Sequence, residues 1–168
     1  MGRLAAFWPG DGVRDLPEPQ QGSGGRFASL RITGCPLGYH TKLVKVEDAP
    51  KSYSDLVNPK WSGKIVKAHP GYSGTIMTAT HQLARALGWS YFEKLAKQKV
   101  LQGQSATEPP KKIEAGERAI AVDGSDYLFW MARGRGVPVE VVPGIEGTPQ
   151  LSNQQAGAKA APKPHAAR

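Results

Sequence analysis

The run AHPGYSGTIMTATHQLARALGW, Ala68 to Trp89, decides how the chain is read. It joins a Pro70-Gly71 turn to small polar residues and then to a helix-forming stretch. Ile76, Thr80, Leu83 and Leu87 fall three and four residues apart, the period of one helix face, so the pattern predicts a helix over Ser73–Leu87. Gly88 stands where the residue after a helix belongs. Upstream, KIVKAH (Lys64–His69) reads as a short strand. The stretch is therefore strand, glycine turn and helix, the helix opened by Tyr72, Ser73, Gly74 and Thr75. Two readings of that opening stand side by side. Ser and Thr are ordinary N-caps that need no ligand. The unpaired N–H groups of a first helical turn, at the positive end of the helix dipole, also suit a bound anion. A glycine at position 74 would let such a ligand reach the backbone.

The same alternation continues outward. RFASLRIT (Arg26–Thr33) alternates as a strand, and Gly34, Pro36 and Gly38 break it. A short helix is expected near Ser52–Val57, with Ser52 as cap, Asp55 in its first turn and Asn58-Pro59 as its stop. A helix over Ser90–Gln98 buries Tyr91, Phe92 and Leu95, with Ser90 as cap. Lys99–Gly103 is a strand, and TEPPKKIEAGE is a short helix capped by Thr107 with prolines in its first turn. Ala119–Gly124 is a near-continuous apolar strand, followed by a helix SDYLFWMARGR capped by Ser125 or Asp126 and a strand at VPVEVVP. Strands alternating with helices predict an α/β fold, a mainly parallel sheet with helices on both faces. Ligands in such sheets bind beyond the carboxyl ends of strands. The junction AVDGSDY is a second candidate there: Asp123, Ser125, Asp126 and Tyr127 offer caps, anion donors or, through Asp126 and Tyr127, hard oxygen ligands for an Fe(III)-like ion. Residues 1–25 read as a loop-like lead-in, 26–149 as the α/β lobe, and 150–168, rich in Gln, Ala, Pro and Lys, as a disordered tail.

Composition narrows the function classes. One cysteine among 168 residues, Cys35, excludes an internal disulfide and a multi-cysteine zinc site, and beside Pro36 it reads as a small buried hydrophobe. His40, His69, His81 and His165 show no i, i+4 pairing with one another. Phosphate-loop, dinucleotide and nucleophile-elbow motifs are absent. The net charge of +8 favours anionic partners. Its lysines, Lys42, Lys60, Lys67 and Lys94 among them, are spread along the chain, which predicts a solvated basic surface rather than a nucleic-acid interface. No apolar run approaches the ~20 residues of a membrane helix.

Several segments together resemble a known family. GYHTK (Gly38–Lys42), PKSYSDL (Pro50–Leu56), NPKWSGKI (Asn58–Ile65), YSG (Tyr72–Gly74), ALGWSYFEKLAKQ and VEVVPGIEGTP occur in the order typical of family 1 extracellular solute-binding proteins of ABC transporters, and are most similar to the ferric-ion-binding group. The resemblance implies a type 2 periplasmic-binding-protein fold, with two lobes, a hinge and an interlobe cleft. It implies that this chain is mainly the second lobe, truncated, with 26–38 and Glu146–Pro149 as hinge crossings. It further implies a substrate-binding component that delivers an anion, iron(III) or a metal chelate to a permease. Such a protein is periplasmic, monomeric when full length, without enzymatic activity, resident cofactor or nucleic-acid partner, although the chain as given carries no signal peptide. Carried over by position, the ligand-binding residues are Tyr72, Ser73, Gly74 and Thr75 with Asp123, Ser125, Asp126 and Tyr127, the last two as metal donors. Ferric members carry adjacent tyrosines where this chain reads Asp126-Tyr127-Leu128, a departure from the iron pattern. A hydrolase built on Ser73, a ligand-sensing or nucleic-acid-associated regulator, and a non-functional truncated product are the alternatives.

Overall fold

A computed structural model describes residues 27–156; the lead-in expected at 1–25, His165 and the tail beyond 156 lie outside the described residues. The described residues divide into two units, Thr33–Leu151 and a smaller one of residues 27–32 with 152–156. Strands β1 (Ala28–Gly34) and β7 (Gln150–Gln155) pair in a two-stranded sheet, and the Ser29 and Ser152 hydroxyls hydrogen-bond between them. Residues 150–155 are thus a strand where the sequence reads as unstructured. Their polar side chains carry no hydrophobic alternation, but ladder bonds need only backbone groups.

The unit Thr33–Leu151 is built on a five-stranded sheet. Its strands are β2 (Leu37–His40), β3 (Ile65–Ala68), β4 (Leu101–Gly103), β5 (Ile120–Ala121) and β6 (Val139–Val142), in the order β4-β3-β5-β2-β6. β3 is parallel to β4 and β5, whereas β2 is antiparallel to both β5 and β6. The sheet is therefore mixed: four strands share a direction and β2 opposes them. The sequence expectation contains no β2, because Pro36 and Gly38 read as breakers. Gly38 sits in mid-strand because a Cβ there would lie within 3.0 Å of three atoms of the Phe129 ring. The aromatic ring occupies the space a side chain would need.

Helices cover both faces, as predicted. On one face Leu37, Tyr39, Ile65 and Ile120 pack with Leu83 of α1 (Gly74–Leu87), Tyr91 and Leu95 of α2 (Trp89–Ala96), and Tyr53, Leu56 and Trp61 from 3₁₀ turns over Tyr53–Val57 and Pro59–Trp61. On the other, Val66, Ala121 and Val139 pack with Ile113 of α3 (Glu108–Glu114) and with Phe129 and Ala132 of α4 (Asp126–Gly134). Neighbouring residues of one strand, Ile65 and Val66 or Ile120 and Ala121, enter opposite layers, the period of two expected of a pleat. Local punctuation follows the sequence in part. Ser52 and Asp55 form a reciprocal capping box, and Gly88 (φ 78°) closes α1. Ser90 lies inside α2, which Gly88 precedes, and Thr107 makes no cap bond to α3.

Candidate functional site

β3 and β5 lie side by side and parallel, with Ile65 opposite Ile120 and Val66 opposite Ala121. Both therefore run out at the same end of the sheet, β3 toward α1 and β5 toward α4. β4 ends there too, with Gly103 beside Ala68, and delivers the loop Gln104–Thr107. The loops are bound into one rim: His69 N donates to Gly103 O (2.7 Å), Ser125 N to Ala106 O (2.9 Å), and Gly34 N to Asp126 Oδ2 (2.9 Å). The two predicted segments, Tyr72–Thr75 and Asp123–Tyr127, are thus brought to one edge of one sheet.

At the α1 end, a 3₁₀ turn over Pro70–Tyr72 is capped by His69, whose Nδ1 accepts from Gly71 N (3.0 Å). The Tyr72 ring rests against His69 (centroids 5.2 Å apart) and is 72% exposed. Ser73 is the N-cap: its Oγ accepts from Ile76 N at 3.4 Å, and its carbonyl takes Met77 N at 2.8 Å. The amides of Gly74 and Thr75 have no protein acceptor among the described residues. The first turn carries no acidic residue, and the space in front of Gly74 is open: a Cβ there would meet nothing within 4 Å.

The α4 end differs. Asp126 stands in the first turn, its Oδ2 accepting from Gly34 N and its Oδ1 from Tyr127 N (2.7 Å). Neither Ser125 nor Asp126 makes the expected N-cap bond, since Ser125 is buried without a side-chain cap. Tyr127 is 37% exposed. Asp123 is 1% exposed; Oδ1 accepts from Ala68 N (3.0 Å) and Oδ2 meets Lys67 Nζ (2.8 Å). Burial pushes its carboxyl above the usual range, and the Lys67 ammonium and Ala68 N–H pull it back. Asp123 is therefore an internal brace rather than a group facing ligand. Lys67, read from sequence as part of a solvated basic surface, is itself 8% exposed.

Cys35 is buried beneath the same rim. Burial first, then the Asp123 charge, pushes its thiol up to about 12, so it is the inert hydrophobe the sequence predicts. Among the described residues no three His, Cys, Asp or Glu side chains converge as a metal site. The loop Gln104–Thr107 escaped the sequence reading. There Ser105 and Thr107 hydroxyls share a 2.8 Å bond, and Glu108 Oε2 accepts from Gln104 N (3.1 Å). Its signal is present in the sequence: GQSATE has the same strand, small-residue and hydroxyl pattern as the junctions AHPGYSGT and AVDGSDY. A cleft of about 440 Å³ lies elsewhere, among Glu47–Trp61, and a smaller one of about 230 Å³ runs from the end of β3 at Ala68–Pro70, past Thr80, to Trp89 and Phe92.

No family model matches the chain. An uncharacterized Haemophilus influenzae protein is 26% identical over 143 residues, covering 81% of this chain and 41% of its own length. Among solved structures, the periplasmic binding protein AfuA from Actinobacillus pleuropneumoniae, with fructose-6-phosphate bound, superposes with a TM-score of 0.86 at 23% identity, over 99% of this chain and 55% of that one. Iron-bound HitA from Pseudomonas aeruginosa gives 0.77 at 21% identity, over 98% and 55%. The substrate-binding protein of an Agrobacterium tumefaciens ABC transporter gives 0.84 at 14% identity, over 98% and 51%. The chain spans about half the length of the solved structures it matches. Its fold is that found in periplasmic solute-binding proteins, ferric-binding ones included.

Proposed function

We propose that this chain is the second, ligand-binding lobe of a periplasmic solute-binding protein that holds a small oxyanion-bearing solute for an ABC permease, as a non-catalytic monomer. The observation that carries this reading is the opening of α1: Gly74 and Thr75 N–H groups without acceptors, an open approach, and no carboxylate in the turn. Ser73 and Thr75 hydroxyls flank the anion, Tyr72 walls it on one side, and Tyr127, in the first turn of α4, is the further candidate contact from the same rim. The sugar phosphate held by AfuA supports a phosphate ester as the ligand class.

Iron(III) and metal chelates are less well supported. Both Asp126 oxygens already accept backbone amides, so that carboxylate is committed within the fold. A hydrolase at Ser73 is disfavoured as well, since its Oγ serves as the cap of α1 and His69 is turned to Gly71 N and Tyr72. Titration of the ¹⁵N-labelled full chain with fructose 6-phosphate, inorganic phosphate and ferric citrate tests the reading. Phosphate-bearing ligands are expected to shift the Gly74 and Thr75 amide resonances first. Saturable shifts confined to Tyr127 with ferric citrate, and none at Gly74 with phosphate, would overturn the choice of ligand.

A further inference from the structure

We propose that the buried Lys67–Asp123 pair, with Thr80, is a positioning device that sets where the opening of α1 stands relative to the β5–α4 turn. The inference rests on the anion reading of that opening, and it assigns roles to three residues that need not touch ligand. Lys67 Nζ makes three bonds, each to a different element: Asp123 Oδ2 after β5 (2.8 Å), Thr80 Oγ1 on α1 (3.1 Å) and Ala68 O at the end of β3 (3.1 Å). An ammonium has three N–H donors, so the set is complete and its geometry fixed. Asp123 adds the reciprocal tie through Ala68 N (3.0 Å).

The three anchoring points cannot slide independently. β3 and β5 are held in register by their ladder, whereas α1 meets the sheet through a largely apolar layer, and its paired Gln82–Gln150 bonds (2.7 and 3.0 Å) tie it to β7 rather than to β3 or β5. Thr80 lies two turns into α1, six residues past Gly74, and Lys67 holds it to the sheet. A lysine–aspartate pair is a weak source of net stability when buried, because desolvation offsets the attraction, whereas its directional bonds specify position. Apolar side chains would fill the space without fixing the helix.

Two variants test this. Thr80→Val removes the tie to α1 and leaves the ion pair whole. Lys67→Met/Asp123→Asn removes both charges while Asn keeps an acceptor for Ala68 N. The readouts are the thermal transition, the affinity for inorganic phosphate, and the Gly74 and Thr75 amide resonances in phosphate-free protein. The expected result is a folded protein with those amides displaced and phosphate affinity down about tenfold, the scale of losing groups that orient a ligand-contacting one. Wild-type amide positions in the phosphate-free variants would overturn the positioning role. Should the double variant not fold, Thr80→Val alone decides. Should wild-type protein not bind phosphate, the anion reading falls, while displaced amides still uphold the positioning role.

Discussion

Gly74→Ala separates a helix cap from a ligand site, because both readings predict a more stable fold but only the ligand reading predicts weaker binding. Gly74 is the first residue of α1 and its φ is not positive, so alanine adopts the same backbone. The added methyl meets no atom within 4 Å. Removing glycine's freedom from the unfolded chain should then stabilise the fold by about 0.4–1 kcal/mol. For a chain of this size that is a rise in Tm of roughly 1–4 °C. The methyl would stand where an anion reaches the Gly74 and Thr75 amides. Losing one amide bond to a charged ligand costs about 1.5–3 kcal/mol, so phosphate-ester affinity should fall about 10- to 100-fold. Thermal melting without ligand and isothermal titration with fructose 6-phosphate measure the two effects separately. A variant that melts higher yet binds as tightly as wild type would refute a ligand at this backbone. A variant that melts lower would refute the open space in front of Gly74.

Other perturbations probe the scaffold. Gly38→Ala should cost about 1–3 kcal/mol in urea unfolding by overpacking against Phe129, and Gly38→Ala/Phe129→Leu should recover part of it. Glu146 is partly buried, which alone would raise its pKa, but bonds from the Ser52 hydroxyl (2.5 Å) and from backbone amides including Tyr53 and Ser54 outweigh this and hold its carboxyl below the ordinary range. The unfolded chain therefore binds this proton more tightly. The Glu146 contribution is present above the ordinary glutamate value of about 4.3 and is lost as pH falls through the lower folded value, so Glu146→Gln should show a shallower loss of stability on acidification than wild type. Lys99, at φ 53°, pays left-handed strain, and Lys99→Gly should leave stability equal or higher by up to about 1 kcal/mol.

Local chemistry was legible where residues close in sequence determine it. The spacing of Ile76, Thr80 and Leu83, the Ser52–Asp55 box and Gly88 are all settled within one or two turns of chain. What sequence reading missed depends on partners far away. Gly38 reads as a breaker until Phe129, ninety-one positions later, occupies its missing side chain. Lys67 looks like any surface lysine until Asp123 and Thr80 surround it. Asp126 looks like a metal donor or a cap, and its carboxylate instead holds Gly34 N across a separation of 92 residues. The gathering of two helix openings on one rim was legible, because parallel strands with intervening helices force it.

The placement of β2 carries a cost in time. It leaves the ribosome before β3 and β4, yet its ladder partners among the described residues are β5 and β6, some 80 to 100 residues downstream. During synthesis, Leu37–His40 has no mate until the final third of the unit emerges, and both of its edges stay unsatisfied until then. The nascent chain should accordingly remain open to chaperones late into translation, and a stall before Val139 should leave a species prone to aggregate.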